Sequence, residues 1–302
     1  MTTPIRNALV LIFAVAGQAA AQGGFQFATP DGIAALKLDT LSGAILTHRS
    51  PGVPRAEAAD LQNLLTACVE AYHDSMSALR PVELALLDSA AWIQVSTLPY
   101  GLPHVNSALT PIVIVLPAHA PGLFRGLTGA DQPDRLFRLL GLHELGHVLM
   151  DAVTGVDRRI ERGDDRFPAW YSEFAATYFA LSCLSDRPGD AAILRGSEDS
   201  LRALPRSAFT ELDKLETLMA METPGGTPHL FTSAGAAHFA WYQRLLNETA
   251  GRVHERLGRG FVTLLRSQAA RSRSVPTSAL VYDLSRSTPG LAPWLRHWGA
   301  IP

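Results

Sequence analysis

The segment Gly141-Leu142-His143-Glu144-Leu145-Gly146-His147-Val148-Leu149 sets two histidines four residues apart, with a glutamate directly after the first. On a helix, positions i and i+4 share a face, so both imidazoles can reach one metal ion. Neutral imidazole is a good zinc ligand, and Glu144 projects beside the ion, where it can take a proton from water. The H-E-x-x-H pattern arises by chance about 0.01 times in a chain of this length and composition. Around it, Leu136, Leu139, Leu140, Leu142, Leu145, Val148 and Leu149 make the helix apolar nearly all round, which predicts a buried helix. Two histidines and a glutamate in such a helix are costly without a partner. The segment therefore predicts a metal centre with a general base next to it.

Outward from this core, Asp131 reads as an N-cap and Pro133 as a first-turn residue. The helix should run to about Ala152, with Thr154-Gly155 as its stop. A polar stretch, Val156 to Arg166, leads to a second helix that begins at Pro168 and ends before Pro188-Gly189. A zinc site needs a third protein ligand. The extended pattern with a third histidine is excluded, because Met150 and Val153 occupy its glycine and histidine positions. The acidic candidates are Asp151, Asp157, Glu161, Asp164, Asp165 and Glu173. Asp151 rides on the histidine helix one turn further along, and Asp157 to Asp165 fall in a charged loop. Glu173 sits in the apolar run Pro168-Ala169-Trp170-Tyr171-Ser172-Glu173-Phe174-Ala175-Ala176, where a lone carboxylate needs a positive partner.

With His143-Glu144-x-x-His147 followed by Trp170-x-x-Glu173-x-x-Ala176, residues 110–185 resemble the gluzincin zinc metallopeptidases. The resemblance implies that His143, His147 and Glu173 hold one Zn2+ per chain and that Glu144 is the base. It implies an α+β, zincin-like core: a small mixed sheet with an edge strand, an active-site helix and a glutamate helix, then a mostly helical C-terminal part. The strand Ile112–Leu116 would be the edge along which a peptide or protein substrate lies. Gluzincins also recruit a Tyr or His from a later helix against the developing oxyanion, which points to Tyr242 and His238, with His229 in the preceding loop. The competing reading makes Tyr242 a core aromatic and His238 a satisfied helix histidine. Two positions depart from the family. The aspartate that orients a zinc-bound histidine in thermolysin-like enzymes is Thr177 here, so that role falls to Thr177, Asp151 or a backbone carbonyl. The glycine often found after the third ligand is Phe174, which would narrow the cleft.

The flanks supply the setting. The chain has 302 residues, 47% hydrophobic and 18% charged, which is globular composition. A net charge of −2 removes the general electrostatic case for nucleic-acid binding. Met1 to Ala21 reads as a cleavable export signal: Arg6, an apolar run from Ala8 to Ala16, then Ala19-Ala20-Ala21 before Gln22. This predicts a secreted or periplasmic protein with no stable membrane insertion. Two cysteines exclude an iron–sulfur protein or a Cys-rich zinc ribbon. In an oxidising compartment Cys68 and Cys183 either pair across a long loop or remain two buried thiols.

Short strands separated by the turn signals Pro30-Asp31-Gly32 and Ser42-Gly43 are expected between Phe25 and His48, a helix over Ala56–Leu79, and β-like runs at Ala91–Val95 and Pro111–Pro117. Prolines bracketing the last run suit an edge strand. Further helices are expected around Ser207–Met221, Ser233–Ala250 and Arg252–Ser267, with Arg252, Arg256, Arg259 and Arg266 on a solvated face. The Pro/Gly break Thr223–Pro228 separates a catalytic core, 22–222, from a helical C-terminal subdomain, 223–302. A zincin-like protein without turnover and an exported helical adaptor are the alternatives to a peptidase.

Overall fold

In the computed structural model, residues 26–76, 78–118, 133–155, 167–221, 229, 232–271 and 274–302 are described. The expected signal segment, the N-cap Asp131, the loop acids Asp157, Glu161, Asp164 and Asp165, and the break Thr223–Pro228 lie outside them.

The architecture is α+β. Helix α1 (Pro30–Ala35) leads into a hairpin of β1 (Asp39–Leu41) and β2 (Leu46–Arg49), and α2 (Arg55–Tyr72) crosses to β3 (Val82–Leu87). After α3 (Ser89–Val95) come β4 (His104–Asn106) and β5 (Ile112–Pro117). The five strands form one mixed sheet in the order β1-β2-β3-β5-β4, with β2, β3 and β5 parallel and the two outer strands antiparallel. Among the described residues, the elements that follow are helical: α4 (Pro133–Thr154), α5 (Ala169–Cys183), α6 (Pro188–Arg195), α7 (Glu198–Arg202), α8 (Leu215–Ala220), α9 (Ser233–Leu257), α10 (Phe261–Ala269), α11 (Thr277–Ser287) and α12 (Leu291–His297).

Five local readings are corrected by this fold. Pro30-Asp31-Gly32 starts a helix rather than a turn, because Thr29 Oγ1 accepts the Gly32 N–H at 3.1 Å and Pro30 needs no partner in the first turn. Ala91–Val95 is helical, since Asp88 caps Ala91 N at 2.9 Å. It buries Ala91, Trp92 and Val95 while Ile93 is 72% exposed, which is helical and not alternating burial. The strand Ile112–Pro117 is not an edge: β4 pairs with it over Val113–Val115, and β4 is the edge. Pro111 and Pro117 remove donors only at its ends. Between Ser207 and Met221 only α8 and a short 3-10 turn form, because Ser207 Oγ accepts the Phe209 N–H at 3.0 Å and competes with helix. Finally, α9 runs unbroken through Gly251, where a Cβ would sit 2.6 Å from Arg195 Cγ, and stops at Gly258 with φ +46°. Gly251 serves a close approach; Gly258 serves the stop.

The expected arginine face is also only partly solvated. Arg252 donates to Glu198 at 2.6 Å and lies 4.5 Å over the Trp294 ring, whereas Arg256 is exposed.

Helix α4 ends as expected, at Thr154 before Gly155 with φ +71°. It packs against β5, β4, α2 and α10, and crosses α5. Helix α5 lies between α4 and α9, so it is buried all round from Glu173 to Leu181. Cys68 of α2 and Cys183 at the end of α5 form a disulfide with Cα atoms 5.3 Å apart. Buried apolar side chains from Ala28 to Ala300 form one continuous cluster, to which the helices after residue 222 contribute Trp241, Leu245 and Phe261.

Candidate metal centre

Where α4 crosses α5, the side chains have to leave room for the two backbones. Gly146 meets Ala176 there, and a Cβ on Gly146 would sit 2.7 Å from Ala176 Cα. This close crossing sets Glu173, one turn before Thr177 on α5, opposite both histidines of α4. His143, His147 and Glu173 each offer one ligand atom, all within 4.8 Å of one another, and all three are buried. Glu173 Oε2 is 3.2 Å from His143 Nε2, and Oε1 is 3.7 Å from His147 Nε2. The two imidazoles stand edge to face at 5.1 Å.

The far nitrogen of each ring is held by a hydroxyl of α5. Thr177 Oγ1 lies 3.2 Å from His143 Nδ1, and Ser172 Oγ lies 3.1 Å from His147 Nδ1. With the Nδ1 atoms occupied, the Nε2 lone pairs are the atoms available to an ion. Of the three candidates for orienting His143, Thr177 is the one the structure brings into place. Ser172 escaped the sequence reading, although it directly precedes Glu173. Asn247 of α9, which accepts from Thr177, escaped it too; its signal was a second amide one turn after Gln243, next to the apolar Leu245 and Leu246.

Glu144 is fully buried, and neither carboxylate oxygen has a hydrogen-bond partner among the described residues. Desolvation pushes its pKa well above the usual carboxylate range. Glu173 is pushed up likewise, by burial first and by the neighbouring Glu144 second. Burial, reinforced by His147, pushes the His143 pKa well down, which favours a neutral ring. A buried carboxylate without a partner beside three convergent donors is the arrangement that a metal ion and its water would complete, so these residues fit a metal.

The other expected site residues are placed elsewhere. Asp151 is buried but outside the ligand group. Phe174 does not line a cleft: it is fully buried against Trp170, Tyr171, Tyr178 and Phe261. On α9, Asn247 marks the face that meets α5, and at 100° per residue Tyr242 points about 140° and His238 about 180° away from it. His238 instead accepts from Ala208 N at 3.3 Å and stacks near His229 at 6.3 Å. Tyr242 is buried beside Trp241, under the influence of Asp213 and Glu216. Compared with protein-family models, curated proteins and solved structures, the chain matches none.

Proposed function

We propose that this protein is a zinc-dependent peptidase in which Glu144 is the general base. The observation that carries the reading is the unpartnered, fully buried Glu144 carboxylate beside the His143–His147–Glu173 group. A structural zinc site is closed by four protein ligands and has no use for such a group, whereas a hydrolytic site has three and keeps one position for water. Two imidazoles and one carboxylate form a donor set that suits zinc. When bound, the ion lowers the pKa of a coordinated water to about 7 and polarises a carbonyl.

The chain's own residues do the rest. Glu144 accepts the water proton and passes it to the leaving amine, a transfer favoured by the raised proton affinity of a buried carboxyl. Glu173, His143 and His147 hold their donor atoms on one side of the α4–α5 crossing, and Thr177 and Ser172 keep the rings from turning. A peptide is the favoured substrate because α4 packs directly against β4, whose one strand neighbour among the described residues is β5. An extended chain could add to that edge by main-chain hydrogen bonds. The Cys68–Cys183 disulfide fits an oxidising compartment, to which the Met1–Ala21 leader would direct the protein.

Metal analysis of the purified protein and of Glu144→Gln, both assayed on a diverse peptide library, tests the proposal. Each should carry one zinc per chain, and the variant should lose hydrolysis by about 100-fold or more. A metal-free protein would overturn the site, and a zinc-loaded wild type inert on every peptide would make this a binding protein.

A further inference from the structure

Helix α9 reaches the metal centre through an amide. Gln243 and Asn247 lie one turn apart on its buried face, each 4% exposed. Gln243 Nε2 donates to Asn247 Oδ1 at 3.0 Å, and Thr177 Oγ1 donates to the same oxygen at 3.1 Å. An amide oxygen carries no hydrogen, so both groups that converge on it must donate. The Thr177 hydrogen is thereby committed to Asn247, and a lone pair of Thr177 Oγ1 faces His143 Nδ1, 3.2 Å away. Nδ1 must then carry the imidazole hydrogen. A neutral ring has only one N–H, so Nε2, the atom 3.2 Å from Glu173 Oε2, is the one that carries the lone pair.

Turning the Asn247 amide over reverses every link. Its NH2 would face Thr177, Thr177 would donate to Nδ1, and His143 would carry its hydrogen on Nε2. No lone pair would then point to the metal position. The turned amide would set its NH2 against the Gln243 NH2, so Gln243 holds the observed orientation, and the two orientations are opposite in metal competence.

We propose that Asn247, acting through Thr177, is a positioning residue that fixes the His143 tautomer and so sets the metal affinity of the centre. This rests on the metal-site reading above. It also gives the C-terminal helix a direct part in the site, where the sequence had suggested Tyr242 and His238.

The test compares wild type, Asn247→Leu, Asn247→Asp and Thr177→Val. Zinc affinity is measured by chelator competition, and the His143 ring nitrogens of the metal-free proteins are observed by 15N NMR. Asn247→Leu should weaken zinc binding by about 10- to 100-fold, the usual effect of removing a partner of a ligating histidine. It should also move His143 toward the Nε2–H form. Asn247→Asp, which keeps an acceptor facing Thr177, should restore both. Thr177→Val cuts the chain one link closer to the ring and should lower affinity even if Asn247→Leu fails to fold. Folded variants that bind zinc like wild type, with the Nδ1–H signal unchanged, would overturn the proposal. A wild type that takes up no zinc yet shows the tautomer shift in Asn247→Leu would instead refute the metal reading and leave the relay standing.

Discussion

At 1% exposure the Glu173 carboxylate has exchanged its hydration for two imidazoles, and a purely structural contact with those rings in a buried helix would account for that as well as a ligand would. Both accounts expect Glu173→Ala to lose stability; only the ligand account expects metal content to fall. With two histidines and water remaining, the purified variant should carry well under one zinc per chain, measured by elemental analysis. A folded variant with one tightly held zinc would place the third ligand elsewhere. His104, on the edge strand β4, gives a separate prediction. Its buried ring sits against Phe27 and Trp92, and desolvation, only partly offset by the bond between Nδ1 and Leu102 O at 3.1 Å, lowers its pKa to about 4. Because the folded pKa lies below the unfolded value of 6.5, stability is full above pH 6.5 and falls as the unfolded chain takes up the proton first. The loss attributable to His104 should reach about 3 kcal/mol by pH 4. Urea unfolding of wild type and His104→Phe across that range checks it, and equal pH slopes would refute it.

Gly146 shows how one helix crossing carries the centre. Alanine is intrinsically the better helix former by about 1 kcal/mol, so propensity alone favours Gly146→Ala. The added Cβ, however, meets the backbone of Ala176, which cannot rotate aside. Overpacking should win and destabilise the protein by about 1–3 kcal/mol. Moving α5 away from α4 should also separate Glu173 from the histidines and weaken zinc binding, a loss that calorimetric melting with and without added zinc would expose. A variant as stable and as zinc-avid as wild type would show that the crossing relaxes freely. Helix α2 was legible from its period, and α4 and α5, apolar nearly all round, from the i, i+4 histidines and from their Pro and Gly boundary signals. Strand β3 was not, because Val82-Glu83-Leu84-Ala85-Leu86-Leu87 has neither alternation nor helical spacing; as the middle strand of the parallel trio it is covered on both faces.

Across the whole molecule the Cys68–Cys183 disulfide ties α2, which packs under the sheet, to the end of the glutamate helix, closing a sequence separation of 115 residues. Replacing both cysteines by serine should cost about 2–5 kcal/mol, read as a lowered unfolding midpoint that a reducing agent reproduces in wild type but not in the variant. What the sequence determined by itself was local: the i, i+4 histidines with Glu144 between them, the apolar helices that bury them, and Glu173 as a carboxylate in need of a partner. Those features follow from helical periodicity and from the cost of burying charge, which nearby residues specify. Only the tertiary structure decided that β4 covers β5, that the two cysteines meet, and that Thr177, Ser172 and Asn247 surround the histidines while Tyr242 and His238 turn away. Each of these depends on how one helix or strand is rotated against another distant in sequence, and that rotation is fixed by close approaches such as Gly146 on Ala176, not by any pattern within either segment.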